Sequence, residues 1–212
     1  IGCLSRCGNL YENEYLRDFN ACALSNRCIP QFRDKSLGHS IDQSLLPLKF
    51  DPKLYTGTWY VTHGLNPIFD CYDCQRHFVS IDDSGQMVVD ISYRVNSPSN
   101  DGDFIRKLRH TFRQEKKDDW SILKATDNSY LKQEDKWYIL DADPSRHMLI
   151  YYSGCNLAWC GYKGGIVCSR FPVLDELSRI EIETAANKFG IKFDEMCPVK
   201  TNECSLERNK SK

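Results

Sequence analysis

Gly57-Thr58-Trp59, preceded by Phe50-Asp51 and matched far downstream by Arg170, is the stretch that decides the fold. A glycine at a strand start lets the chain cross a barrel floor at close range, and the tryptophan is large enough to plug that floor. Arg170 falls at the end of the last apolar strand segment, where its guanidinium plane can cover the indole. Between the two lie segments of alternating polarity. Met87, Val89, Ile91, Tyr93 and Val95 alternate with Gln86, Asp90, Ser92 and Arg94. Phe104, Leu108, His110 and Phe112 do the same, as do Leu131, Asp135, Trp137 and Ile139 against Lys132, Glu134, Lys136 and Tyr138. His147–Tyr152 and Gly164–Cys168 are short apolar runs, and Asp82-Asp83-Ser84-Gly85, Asn100-Asp101-Gly102 and Asp143-Pro144-Ser145 read as turns. The period then changes. Val173–Phe189 carries Leu174, Leu177, Ile180 and Ala185 at helical spacing, with Gly190 as a stop. The expectation is a mainly β protein: an eight-stranded antiparallel barrel closed by one C-terminal helix, which leaves no sheet edge and encloses room for one small ligand.

Composition sets the outer limits. The chain has 212 residues, 28 Lys+Arg against 29 Asp+Glu, a net charge of -1 and 41% hydrophobic residues. That is enough for a core and gives no electrostatic reason to bind nucleic acid. No apolar run approaches the roughly 18 residues of a spanning helix. Eleven cysteines point to an oxidising compartment, and the odd count leaves at least one thiol free or paired outside the chain. They divide the sequence: a cysteine-rich segment at 1–30 with Cys3, Cys7, Cys22 and Cys28, a polar linker at 31–48, the barrel and helix at 49–193, and a tail at 194–212. The opening Ile1-Gly2-Cys3 lacks an initiator methionine and reads as a processed or truncated product. No glycine-rich phosphate loop, Ser-His-Asp arrangement or basic-aromatic stripe is present, which removes nucleotide, hydrolase and nucleic-acid readings.

The floor motif, Arg170 and the trailing helix together resemble the lipocalins. A narrower resemblance follows from Gly57-Thr58-Trp59-Tyr60, Gly64-Leu65-Asn66-Pro67, Phe69-Asp70, Asp73-Cys74-Gln75-Arg76-His77, Asp135-x-Trp137-Tyr138-Ile139-Leu140, Tyr151-Tyr152 and Gly161-Tyr162-x-Gly164-Gly165. With Cys3-x3-Cys7, Cys22 and Cys28-Ile29-Pro30, these resemble the violaxanthin de-epoxidase family and its de-epoxidase-like and de-epoxidase-related branches. The resemblance implies an enzyme of the chloroplast thylakoid lumen or membrane surface. It would use ascorbate as co-substrate to remove the epoxide oxygen of a xanthophyll as water, and would dimerise and attach to the thylakoid lipid surface at low pH. Two other readings remain: an isomerase that opens the epoxide without a reductant, and a carotenoid-binding lipocalin without chemistry.

Opening an epoxide needs a proton delivered to its oxygen, and a carboxylic acid kept un-ionised by apolar surroundings can deliver it. Asp135 shares a strand face with Leu131, Trp137 and Ile139, which would raise its pKa through desolvation. The pattern alone also permits a solvated turn over Gln133–Lys136. The resemblance matches Asp135 and Tyr152 to the family's catalytic pair. It places Gln75, Trp137 and Tyr130 along the substrate and ascorbate cavity, and Asp70, Asp73 and His77 in a pH-sensing cluster. A second histidine expected three residues after His77 is Ser80 here. His110, on an apolar face, reads as a satisfied core residue. The family pairs the cysteine matching Cys74 with one near the carboxyl end, implying Cys74–Cys204, and Cys71–Cys197 is expected as an addition particular to this chain. Cys22–Cys28 and a short Cys155–Cys160 bridge are expected as well; Cys3 and Cys7 match residues whose family partners lie further upstream, and Cys168 is left as the odd thiol. Cys71-x2-Cys74 with His77 has zinc-like spacing, but disulfide partners are available for both cysteines, so no metal is expected.

Overall fold

The computed structural model describes residues 41–47, 50–67, 69–95, 104–125, 134–155, 160–201 and 204. The cysteine-rich segment 1–30, with its Cys22–Cys28 pair, and Tyr130 lie outside them.

Eight antiparallel strands form the barrel: β1 (Gly57–Gly64), β2 (Arg76–Ile81), β3 (Met87–Val95), β4 (Phe104–Lys116), β5 (Asp119–Ala125), β6 (Glu134–Asp143), β7 (His147–Cys155) and β8 (Cys160–Ser169). Each pairs with the next, and β1 closes the ring by pairing with both β2 and β8. Helix α1 (Glu176–Lys188) follows, and a two-residue strand β9 (Cys197–Pro198) adds onto the end of β1.

The floor is built as its residues require. Gly57 sits at φ +98°, a conformation that glycine alone adopts without strain. Trp59 is fully buried and donates its indole N–H to the Tyr55 carbonyl at 2.7 Å. The Arg170 guanidinium lies 3.7 Å from the centre of the Trp59 ring and donates to the carbonyls of Thr56 and Pro144, which ties the two chain segments of the floor together.

Two apolar layers share the strands. One fills the barrel: Trp59, Val61, Met87, Val89, Phe112, Leu123, Trp137, Ile139, Ile150 and Ile166 among others. The other lies between the barrel wall and α1: Ile122, Leu140, Leu149, Tyr151 and Val167 against Ile182, Ala185, Ala186 and Phe189. This is why β7 and β8 read as continuous apolar runs, since both of their faces are covered. It is also why β5, with Ile122 outward and Leu123 inward, shows no alternation.

Three details differ from the expectations. The helix is shorter, because Asp175 caps it by accepting from the Ser178 amide at 2.9 Å. Its buried stripe is Ser178, Ile182, Ala185 and Ala186, whereas Leu177 and Ile180 are exposed. Ile182 inserts into the outer layer, and the small residues Ser178, Ala185 and Ala186 around it let the helix approach the wall closely. The end of the linker and the tail also join the fold. Leu46 is buried in the outer layer, Met196 packs there too, and Val199 joins the barrel core.

The tail is fixed covalently as well. Cys71 is bonded to Cys197 and Cys74 to Cys204, spanning 126 and 130 residues. Both bridges join the β1–β2 connection to the tail, so the first removes most of the chain entropy and the second closes only a small additional ring. Cys155 is disulfide-bonded and faces Cys160 in the β7–β8 ladder. Cys168 is a buried free thiol.

Candidate active site

Asp135 lies on the inner face of β6, in phase with Trp137 and Ile139, and is 5% exposed. The solvated-turn alternative is therefore excluded: Glu134–Asp143 is strand, with Lys136 outside and paired to Glu115. Tyr162 on β8 donates its hydroxyl to Asp135 Oδ1. On the other side of the carboxyl, His110 Nδ1 of β4 stands 3.5 Å from Oδ2. Tyr162 reaches Asp135 across an intervening strand. The ladder aligns Asp135 with Gly154 and Gly154 with Tyr162, and a Cβ at Gly154 would collide with Asp135 Oδ1 and the Tyr162 hydroxyl.

A second carboxyl–phenol pair sits beside the first. Tyr152 donates to Asp70 Oδ1 at 2.6 Å, while Asp70 Oδ2 accepts from the backbone amides of Asn66 at 2.8 Å and Gly165 at 3.1 Å. Two more glycines make space for this pair. A Cβ at Gly164 would strike the Tyr152 hydroxyl, and one at Gly64 would strike Asp70. Burial pushes the Asp70 carboxyl up to about 7, and the hydrogen bonds from Tyr152 and the backbone hold it from rising further. Burial also raises the Tyr152 phenol well above its ordinary value, reinforced by the Asp70 charge. The rings of Tyr152 and Tyr162 are 6.4 Å apart.

Gln75, His77 and Trp137 complete the inner surface. Gln75 Nε2 lies 3.4 Å from His77 Nε2, and Gln75 Oε1 is buried with no hydrogen-bond partner among the described residues. His77 stacks on Trp137 with ring centres 5.9 Å apart. Burial and then the neighbouring His110 charge push His77 down to about 3, and burial pushes His110 down to about 4. Both imidazoles are neutral above those values. Among the residues assigned to pH sensing, Asp70 and His77 are buried and shifted in opposite directions. Asp73 is half-buried, with its backbone carbonyl accepting from Arg94.

Sequence reasoning missed Tyr162 and the contact of His110 with Asp135. Tyr162 is in phase with Gly164, Ile166 and Cys168, so alternation along β8 turns it inward. Glycines at 154 and 164 were the accompanying signal, since each leaves room for a large side chain from a neighbouring strand. The zinc-like spacing of Cys71 and Cys74 is accounted for by their disulfides, and no group of metal-ligating side chains is found among the described residues.

A closed eight-stranded barrel with a tryptophan–arginine floor, a trailing helix and an acid inside is a lipocalin. The same architecture occurs in apocrustacyanin C1, with TM-score 0.60 and 19% identity over 78% of this chain and 89% of that one. It also occurs in the amine-binding protein of Rhodnius prolixus, with TM-score 0.57 and 17% identity over 75% and 84%. Residues 1–201 match the family described as the VDE lipocalin domain, and the chain belongs to the violaxanthin de-epoxidase family. It is 38% identical over 97% of its length to the chloroplastic violaxanthin de-epoxidase of Nicotiana tabacum, and 36% identical over 90% to that of Arabidopsis thaliana. It spans less than half of those relatives, 43% and 42% of their lengths.

Proposed function

We propose that this chain is the epoxide-binding and proton-donating part of an ascorbate-dependent xanthophyll de-epoxidase. The observation that carries the reading is Asp135, a carboxyl on the inner face of an apolar barrel, hydrogen-bonded by Tyr162 and two residues from the buried Trp137. In the reaction Asp135 gives its proton to the epoxide oxygen as a C–O bond breaks. Ascorbate supplies two electrons and two protons in total, the ring regains its double bond, and the oxygen leaves as water. The indole of Trp137 forms an apolar wall for the polyene, and the unpaired Gln75 Oε1 accepts from a hydroxyl of the pigment ring or of ascorbate. Tyr152, whose proton is committed to Asp70, keeps its oxygen as an acceptor. The names of the relatives support a chloroplast location, and we assign the chain to the thylakoid lumen and its lipid surface, with pairing of two copies at low pH to hold both ends of one pigment.

The test is incubation of the oxidised chain with violaxanthin at about pH 5, with and without ascorbate. De-epoxidised pigment formed only with ascorbate is the expected result. A rearranged product without ascorbate, or unchanged bound pigment in both arms, overturns it.

A further inference from the structure

The carboxyl of Asp135 has unequal surroundings on its two oxygens. Oδ1 accepts from the Tyr162 hydroxyl, and Oδ2 faces His110 Nδ1. The Tyr162 side chain is held where it is by its strand. Gly161, at φ +85°, bends the first residues of β8, Cys155 in the facing strand is disulfide-bonded, and its carbonyl lies 3.5 Å from the Tyr162 oxygen. Gly154, the residue over which the phenol reaches, has no substitute there, because any Cβ would part the two side chains.

We infer that Tyr162 is a positioning residue for Asp135: by donating to Oδ1 it assigns the acidic proton to Oδ2, the oxygen beside His110, and steadies the carboxylate once that proton has left. The inference rests on the reading of Asp135 as the proton donor. The balance is simple. The Oδ2–H bond breaks, the proton goes to the epoxide oxygen, and the negative charge left on the carboxylate is met by a hydrogen bond already in place, so no reorganisation is needed as the charge appears. Among the described residues, titratable groups around this carboxyl include His110 from β4, with His77 of β2 beside it, and Tyr152 from β7. Burial keeps the two imidazoles uncharged above about 4 and about 3, so Tyr162 supplies a donor that does not change charge with pH.

The experiment follows Asp135 directly, by carbon-13 NMR of a chain labelled at aspartate Cγ and tyrosine Cζ, with Asp135 identified by the signal lost in Asp135→Asn. Removing a donor from a carboxylate raises its pKa, so Tyr162→Phe moves the Asp135 midpoint up by about one pH unit. In turnover assays it lowers kcat about tenfold, with the KM for pigment unchanged and the high-pH limb of the rate profile displaced upward by the same interval. An unmoved or lowered midpoint, or a change in KM alone, overturns the inference. In the wild-type chain the Tyr162 Cζ signal titrates with the Asp135 midpoint, which keeps the test open should Tyr162→Phe not fold; a Tyr162 signal flat through that titration overturns it too. A midpoint that shifts as expected in a protein that never turns over supports the Tyr162–Asp135 coupling while removing the de-epoxidase reading.

Discussion

Asp70–Tyr152 and Asp135–Tyr162 use the same two functional groups within one barrel, and differ in what else holds the carboxyl. Asp70 lies in the β1–β2 connection, and its Oδ2 takes two backbone amides: that of Asn66 within the connection and that of Gly165, which fastens the connection to β8. The Asn66 side chain donates to the Lys163 carbonyl and the Leu65 amide to that of Gly165, along the same seam. Asp135 lies within a strand whose amides pair along the ladder, and the side chains of Tyr162 and His110 approach its two oxygens. A carboxyl clamped by main chain serves architecture, because moving its proton strains the fold. A carboxyl held by side chains can change protonation while the backbone stays in place, as an acid catalyst must.

The division of labour is broken most decisively by exchanging each acid for its amide. Asp135→Asn is expected to lower pigment turnover by about 10²–10⁴, the range for loss of a general acid, with little change in the unfolding midpoint. Asp70→Asn should stay within about tenfold of wild type, because the amide mimics the protonated carboxyl, donating to the Tyr152 oxygen while its carbonyl keeps both backbone amides. Steady-state assays on the two variants decide the matter. Equal losses in both would mean that the pairs share one chemical role.

The glycines sharpen the contrast. A Cβ at Gly64 meets the backbone of Asp70 at 2.9 Å as well as its side chain, so the clamped connection has to move. Gly64→Ala is expected to cost about 2–4 kcal/mol in chemical denaturation. A Cβ at Gly154 meets only the ends of the Asp135 and Tyr162 side chains, which can turn aside. Gly154→Ala should therefore cost less stability, about 1–2 kcal/mol, and lose turnover instead. A reversal of the two profiles would contradict the assignment.

Much of this was legible in the sequence and some could not have been. Gly57, Trp59 and Arg170 disclosed the barrel because a floor plug is a local demand on particular residue types. Asp135 was legible because β6 alternates cleanly, with Lys136 outside and Trp137 inside. β2 and β5 were not singled out; in β5 Ile122 belongs to the outer apolar layer and Leu123 to the barrel core, which blurs the polar alternation. The partnership of Tyr162 with Asp135 depends on two successive strand registers, β6 on β7 and β7 on β8, which no local pattern encodes. The helix face was misread because Leu177 and Ile180 are as apolar as the buried Ile182, so hydropathy alone did not mark the stripe that packs.

The pH dependence of stability separates the pairs again. Asp70 ordinarily titrates at 3.8 and is pushed up to about 7 by burial, so the folded chain binds a proton that the unfolded chain has released. Its contribution is fully present below about 4 and is lost as pH rises through about 7. The buried histidines shift the opposite way, but equally in wild type and Asp70→Asn, and cancel in the difference. Urea denaturation from pH 4 to 8 should show wild type losing about 3–4 kcal/mol relative to Asp70→Asn. Parallel curves would mean that Asp70 ionises in the fold as readily as it does in water.

The smallest effect is expected from Tyr152→Phe, and it tests which way the phenol acts. The Tyr152 hydroxyl donates to Asp70 Oδ1 and so holds the carboxyl below the value that burial alone would set. Without it the Asp70 midpoint should rise above about 7 by roughly one unit, and the clamped connection should weaken by about 1 kcal/mol near neutral pH, where the carboxylate loses a donor. Below pH 4 Asp70 is protonated and can donate to another acceptor or to water, so the stability difference should shrink there. Tyr162→Phe should have the corresponding effect on Asp135, the carboxyl proposed to ionise in the reaction, so its expected signature is a displaced rate profile. In Tyr152→Phe the displacement should instead appear in the stability curve. A shift of the rate profile as large as that of Tyr162→Phe would place both phenols on one reacting centre and dissolve the distinction between the clamp and the acid.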